Sequence, residues 1–145
     1  RALERNETIE IRHPRATRPW QHVLEPLSGY VRLAVALEDG SAKSGSSWNF
    51  GPPEHAVHEV QEVAGLVASQ WGRADAVRVV TERNSMHESQ LLQLNSAKAQ
   101  SQLSWATRWD FSQTMHHTIG WYRGLHDGRL AADLTSADIA AYLAT

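Results

Sequence analysis

Apolar and charged residues alternate through Thr8-Ile9-Glu10-Ile11-Arg12, the period of a half-buried strand. Pro14 and Pro19, with Arg12, Arg15 and Arg18 around them, make positions 13–19 an extended loop. Leu24, Leu27, Val31, Ala34 and Val35 then follow helical spacing. Glu25 and Pro26 fall in that helix's first turn, and Asp39-Gly40 ends it. Positions 41–47 are small and polar, hence a loop, and Trp48-Asn49-Phe50 reads as a short strand closed by Gly51-Pro52-Pro53. The clearest stripe is Val57, Val60, Val63, Ala64, Val67, Ala68 and Trp71, a helix stopped by Gly72. Positions 76–80 are rich in β-branched residues and predict a strand. A polar connector over 81–89 leads to a further short strand over 91–94. Ser96 is a candidate N-cap for a helix through Leu103. Asp110 and Gln113 have capping-box spacing before a helix that puts Phe111, Met115, Thr118, Ile119, Tyr122 and Leu125 on one face, with Gly128 as its stop. Thr135 or Ser136 caps a last helix with Ile139, Ala140 and Leu143 inward.

Short strands interleaved with amphipathic helices give an α/β layout, or α+β when the chain stands alone. No internal repeat or second unit is visible, so residues 1–145 read as one domain. Composition narrows the class. Hydrophobic residues make up 41% of the 145, a globular value rather than that of a disordered chain. No apolar run reaches the roughly 18 residues of a membrane helix. Fourteen basic residues against 16 acidic ones leave a net charge of −2, too little basic field for broad nucleic-acid binding. The absence of cysteine rules out disulfides and thiolate metal sites, and suits a cytoplasmic location.

Cofactor and catalytic signatures are missing. There is no G-x-G-x-x-G, no P-loop, no G-x-S-x-G elbow and no Cys nucleophile. His55 and His58, and the adjacent His116 and His117, could in principle ligate a metal. Neither spacing recruits the three or four convergent ligands a zinc site needs, so no metal is assigned. The loop around Arg18 is the richer signal. Arg presents a planar fork that matches phosphate oxygens two at a time, and flanking prolines hold such a fork at low entropy cost. Trp20 and His22 follow directly. The polar segment Arg83-Asn84-Ser85-Met86-His87-Glu88 is a second candidate, with one cation and one titratable imidazole.

Together these segments resemble the CDP-glucose 4,6-dehydratases. The resemblance is carried by the run Ile11-Arg12-His13-Pro14-Arg15-Ala16-Thr17-Arg18-Pro19-Trp20-Gln21-His22-Val23-Leu24-Glu25-Pro26-Leu27-Ser28-Gly29-Tyr30. Trp48-Asn49-Phe50-Gly51-Pro52, Met86-His87-Glu88-Ser89, Leu94-Asn95-Ser96-Ala97-Lys98-Ala99, Leu103-Ser104-Trp105 and Gly120-Trp121-Tyr122 follow in order. It implies an extended short-chain dehydrogenase/reductase fold, of which this chain matches only the C-terminal, substrate-holding part. The NAD-binding Rossmann domain, with its glycine-rich motif and Tyr-x-x-x-Lys pair, would lie outside it. The implied reaction is a lyase cycle on a nucleotide-sugar. C4 of CDP-glucose is oxidised by hydride transfer to NAD, water is lost across C5 and C6, and hydride returns to C6. The product is CDP-4-keto-6-deoxyglucose, a deoxysugar precursor of lipopolysaccharide O-antigen.

The resemblance implies a substrate set. Arg18 grips the pyrophosphate, with Trp20 and His22 in the same block. His87 and Glu88 lie near the nucleotide, and Arg83 is the loop's nearby cation. Glu25 reads as a helix-start cap. No catalytic residue falls on this chain, and NAD would be bound by the missing domain. Met86 stands where the family has Pro, Ser89 where it has Ala, Asn95 where it has Asp and Ser104 where it has Gly, the marks of a divergent member. The implied partners are a CDP-sugar, the chain's own Rossmann domain and, because an uncovered docking face is sticky, further copies of the chain. The other reading is a stand-alone, non-catalytic binding or assembly module derived from a nucleotide-sugar epimerase or dehydratase. Arg1, which is not Met, and the helix-tail look of positions 1–7 suggest a cut from a longer product.

Overall fold

The computed structural model describes residues 1–53, 56–80 and 92–145. Two small sheets and five helices make up the described fold. After a 3-10 turn at Leu3–Arg5, β1 (Ile9–Ile11) pairs in parallel with β4 (Val77–Val79), in the register Ile9 to Val77 and Ile11 to Val79. Glu10 and Arg78, opposite each other in that register, form an ion pair. The helix α2 (Val60–Gln70) packs against both strands. The second sheet is antiparallel and shorter: β2 (Thr17–Arg18) pairs with β3 (His58–Glu59). The proline-rich loop therefore holds a two-residue strand that its composition did not predict. A partner distant in sequence supplies the ladder.

Around these sheets lie α1 (Leu24–Glu38), α3 (Ala97–Leu103), α4 (Phe111–His126) and α5 (Ala131–Leu143). One apolar cluster joins Ala36, Ala42, Phe50, Ala99, Leu103 and Trp105, so α1 and α3 close over the 42–50 segment. Phe50 packs edge-to-face on Trp105 at 5.0 Å and on Tyr30 at 5.6 Å. The other cluster joins Val63, Met115 and Ile119, where α2 meets α4. The stripe expected on α2 is thus inward, with Val63 and Ala68 buried; Val57 lies just outside the helix.

Elsewhere the details differ. Trp48-Asn49-Phe50 and the described part of the 91–94 segment form no strand; Leu91 lies outside the described residues, as does the connector over 81–89. Ser96 does not cap α3. Its hydroxyl accepts from Gly51 N–H at 2.8 Å, and Asn95 Oδ1 takes the Ala97 N–H at 2.9 Å instead. The capping box on α4 forms in both directions, Gln113 N–H to Asp110 Oδ1 at 2.8 Å and Asp110 N–H to Gln113 Oε1 at 3.0 Å. The last helix starts at Ala131, ahead of Thr135 and Ser136. Gly128, at φ +86°, turns the chain early, and Arg129 N–H closes on Gly124 O at 2.9 Å. Its buried residues are Leu134 and Tyr142, while Ile139 and Leu143 are exposed.

The largest reversal is on α1. Its apolar stripe faces outward: Leu27, Val31 and Val35 are exposed, as are Val23 and Tyr30. The inward face carries Glu25, Gly29 and Ala36. A helix presents a stripe to solvent when a different stripe has a stronger claim on the core. Here that claim is made by Glu25 and by a glycine that lets Phe50 approach.

Gly29 gives a sharp expectation. A Cβ there would lie 2.6 Å from Phe50 Cε1 and 2.7 Å from Phe50 Cγ. Gly29→Ala therefore destabilises the chain by about 1–3 kcal/mol through overpacking. The gain of about 1 kcal/mol in helix propensity is outweighed. Urea unfolding of G29A and of G29A/F50L reads it, with the double variant recovering part of the loss.

Candidate functional site

Arg18 ends β2 and begins the block that the sequence singled out. Its Nη1 donates to the Thr17 carbonyl at 2.7 Å. The side chain borders a narrow cleft walled by Pro19, Pro52, Pro53, Val57 and Leu94. Leu92 and Gln93, which follow directly on residues 81–91, border the same cleft. Arg83, His87 and Glu88 themselves lie outside the described residues, as does His55.

Pro19 redirects the chain. Trp20 N–H bonds back to Arg18 O at 2.9 Å, a three-residue turn compatible with the fixed φ of proline. A fully extended loop would have put Arg18, Trp20 and His22 on one side; the turn separates them. Trp20 donates its indole N–H to His58 O at 3.1 Å and packs against the α2–α4 cluster. It also lines a cavity of about 230 Å³ that shares Pro52, Pro53 and Ala56 with the Arg18 cleft. So Arg18 and Trp20 border neighbouring spaces.

His22 goes elsewhere. It is 5% exposed and packs its ring edge-on to Trp109 at 4.8 Å. Its Nε2 is 3.9 Å from Asp138 Oδ2, and its Nδ1 is 3.4 Å from the Leu24 N–H. Burial pushes the imidazole below its ordinary pKa, a shift that the Asp138 carboxylate partly opposes. His117 stacks on Trp109 at 3.9 Å and bonds Asp138 Oδ1 through Nδ1 at 2.8 Å. His22 and Asp138 open on a cavity of about 450 Å³ between α1, α4 and α5, distinct from the Arg18 cleft. His58 bonds Glu62 at 2.9 Å and stacks on Phe111. Among the described residues no group of three His, Asp or Glu could hold a metal ion.

Glu25 is the residue whose role the sequence understated. Expected as a cap, it is fully buried and reaches away from its own helix. Its carboxylate accepts the Arg108 N–H at 3.1 Å, the Trp109 N–H at 2.9 Å and the Tyr142 hydroxyl at 2.8 Å. Burial raises the Tyr142 phenol to about 12. Nothing local to Glu25 in the sequence signals partners 83 to 117 residues away.

Neither strand of the parallel pair leads through a described glycine turn into a helix. β1 runs into the proline-held block, and the residues after β4 leave the described part at Val80. No described helix is long and apolar enough to cross a membrane.

No family model matches the chain. Over 99% of its length it is 35% identical to the CDP-glucose 4,6-dehydratase of Salmonella typhimurium, and it spans 40% of that enzyme's length. The resemblance carried by the Arg18 block therefore holds along essentially the whole chain. A dTDP-glucose 4,6-dehydratase from Bacillus anthracis, solved in complex with NAD, superposes with a TM-score of 0.69 at 18% identity, over 88% of this chain and 38% of that one. The PbgP3 protein from Burkholderia pseudomallei superposes at 0.62 and 21% identity, over 91% of this chain and 38% of that one. Small sheets flanked by helices are thus similar to part of the dTDP-glucose 4,6-dehydratase fold, in line with the α/β reading.

The Glu25 network ties the start of α1 to residues 108–109 and to Tyr142 of α5. Glu25→Gln can keep an oxygen on the Arg108 and Trp109 N–H groups, but it puts an NH₂ where Oε2 accepts from Tyr142 and Arg108, and costs roughly 2–4 kcal/mol of stability. Thermal unfolding of E25Q reads the loss; a loss under about 1 kcal/mol would contradict so central a role.

Proposed function

We propose that this chain is the nucleotide-sugar-holding part of a CDP-glucose 4,6-dehydratase-like enzyme. The observation that carries the reading is the match to the Salmonella typhimurium enzyme, continuous over 99% of the chain. The site's chemistry is compatible with it. Arg18 offers its fork to a pyrophosphate at the mouth of a proline-walled cleft, whose stiffness keeps the guanidinium in place before the ligand arrives. Trp20 lines the adjoining space with an aromatic surface suited to a base or sugar face. The resemblance adds Arg83, His87 and Glu88 to the proposed set. His22, in the other cavity, fixes the end of the block rather than touching phosphate. Oxidation, dehydration and reduction of the sugar would use NAD held by residues beyond this chain, and no step of that chemistry is assigned to the described residues.

The outward stripe of α1 supports a companion proposal. Leu27, Val31 and Val35, with Tyr30 beside them, form an apolar face of the kind that another domain covers. In the chain alone that face drives self-association. Light scattering should find an oligomer, and Val31→Lys should shift it toward monomer. A wild-type monomer at all concentrations would refute the docking role.

The nucleotide-sugar reading is tested by Arg18→Ala, made in the full reading frame that contains this chain. Losing a charged hydrogen bond costs ~1.5–3 kcal/mol, at least tenfold in affinity for the CDP-sugar by calorimetry. A change under twofold would overturn the assignment.

A further inference from the structure

The cavity between α1, α4 and α5 has a volume of about 450 Å³, within the range of small-molecule sites. Its floor and rim differ in kind. His22 (5% exposed) and Asp138 (side chain 16% exposed) lie deep, whereas Val23 (61%) and Tyr122 (49%) stand at the surface. Trp121 and Leu24 complete the walls. Trp121 is held by its indole N–H, which donates to Thr135 Oγ1 at 3.1 Å. The indole face is thereby fixed before any ligand enters.

The electrostatics select one sign of charge. Asp138 is the sole acidic or basic side chain among the lining residues. His22 lines the floor in its neutral form, because burial depresses its pKa. His117 occupies Asp138 Oδ1 at 2.8 Å from outside this cavity. Among the described residues Oδ2 has only the 3.9 Å approach of His22 Nε2, longer than a hydrogen bond. A carboxylate oxygen is therefore left for a donor, with aromatic faces beside it that attract cations. The side-chain oxygen of Gln21, which also borders the cavity, is buried with no hydrogen-bond partner among the described residues. A phosphate would meet a carboxylate and no cation, which separates this cavity from the Arg18 cleft.

We propose that this cavity binds a small organic cation, an amine or amidine on a flat apolar body, with Asp138 Oδ2 taking the charged N–H and Trp121, Tyr122, Val23 and Leu24 enclosing the body. The site shares no wall with the Arg18 cleft and only Gln21 with the space beside Trp20.

Three probes of one shape test it: benzamidine, neutral benzamide and anionic benzoate. Titrations followed by Trp fluorescence and backbone-amide NMR should show benzamidine binding at least tenfold more tightly than benzamide, and benzoate not at all. Shifts should centre on Leu24, Thr118 and Thr135. Asp138→Asn should bring benzamidine down to the benzamide level while CDP-sugar affinity stays unchanged. Equal binding of the three probes, shifts centred elsewhere, or D138N binding benzamidine within twofold of wild type would overturn the proposal. The probe series on the wild-type chain decides it even if D138N folds poorly.

Discussion

A single buried carboxylate sets the geometry of most of what surrounds it. Glu25 sits in the first turn of α1, where the helix dipole favours a negative charge. Yet its oxygens serve the backbone of residues 108 and 109 and the phenol of Tyr142. A charge without water is tolerated only when its lone pairs are filled. Once filled, it permits little movement. The start of α1, the approach to α4 and the end of α5 are fixed relative to one another by one side chain. Trp105 joins the same knot, its indole N–H reaching the Glu25 carbonyl at 3.3 Å and the Ser28 hydroxyl at 3.0 Å.

That constraint explains why α1 buries the face it does. Turning Glu25 inward forces the opposite side of α1, with Leu27, Val31 and Val35, toward solvent. On α5 the buried residues are Leu134 and Tyr142, and Ile139 and Leu143 stay exposed. Apolar periodicity marks a face that wants a partner, but it does not say whether the partner lies within the chain. On α2 and α4 it does, and Val63, Met115 and Ile119 meet as their spacing foretold.

The elements that were legible in sequence are those whose signals are local. The Asp110–Gln113 capping box, the Gly72 stop and the α2 stripe depend on neighbours within a turn or two. What was not legible depends on distant partners. Thr17–Arg18 becomes a strand only because His58–Glu59 lies alongside, and Ser96 abandons its capping role because Gly51 needs its hydroxyl. The Arg18 block stood out because cations and prolines rarely coincide without purpose. Its splitting into two sites did not, because the turn at Pro19 follows from the backbone and not from residue type.

That turn has a chemical consequence. Within five residues the chain passes from a guanidinium at one cleft to a neutral imidazole beside a carboxylate at another. The bend at Pro19 leaves His22 packed on Trp109, the ring that also stacks on His117 beside Asp138. Glu25, by accepting the Trp109 N–H, holds the backbone of that indole in place.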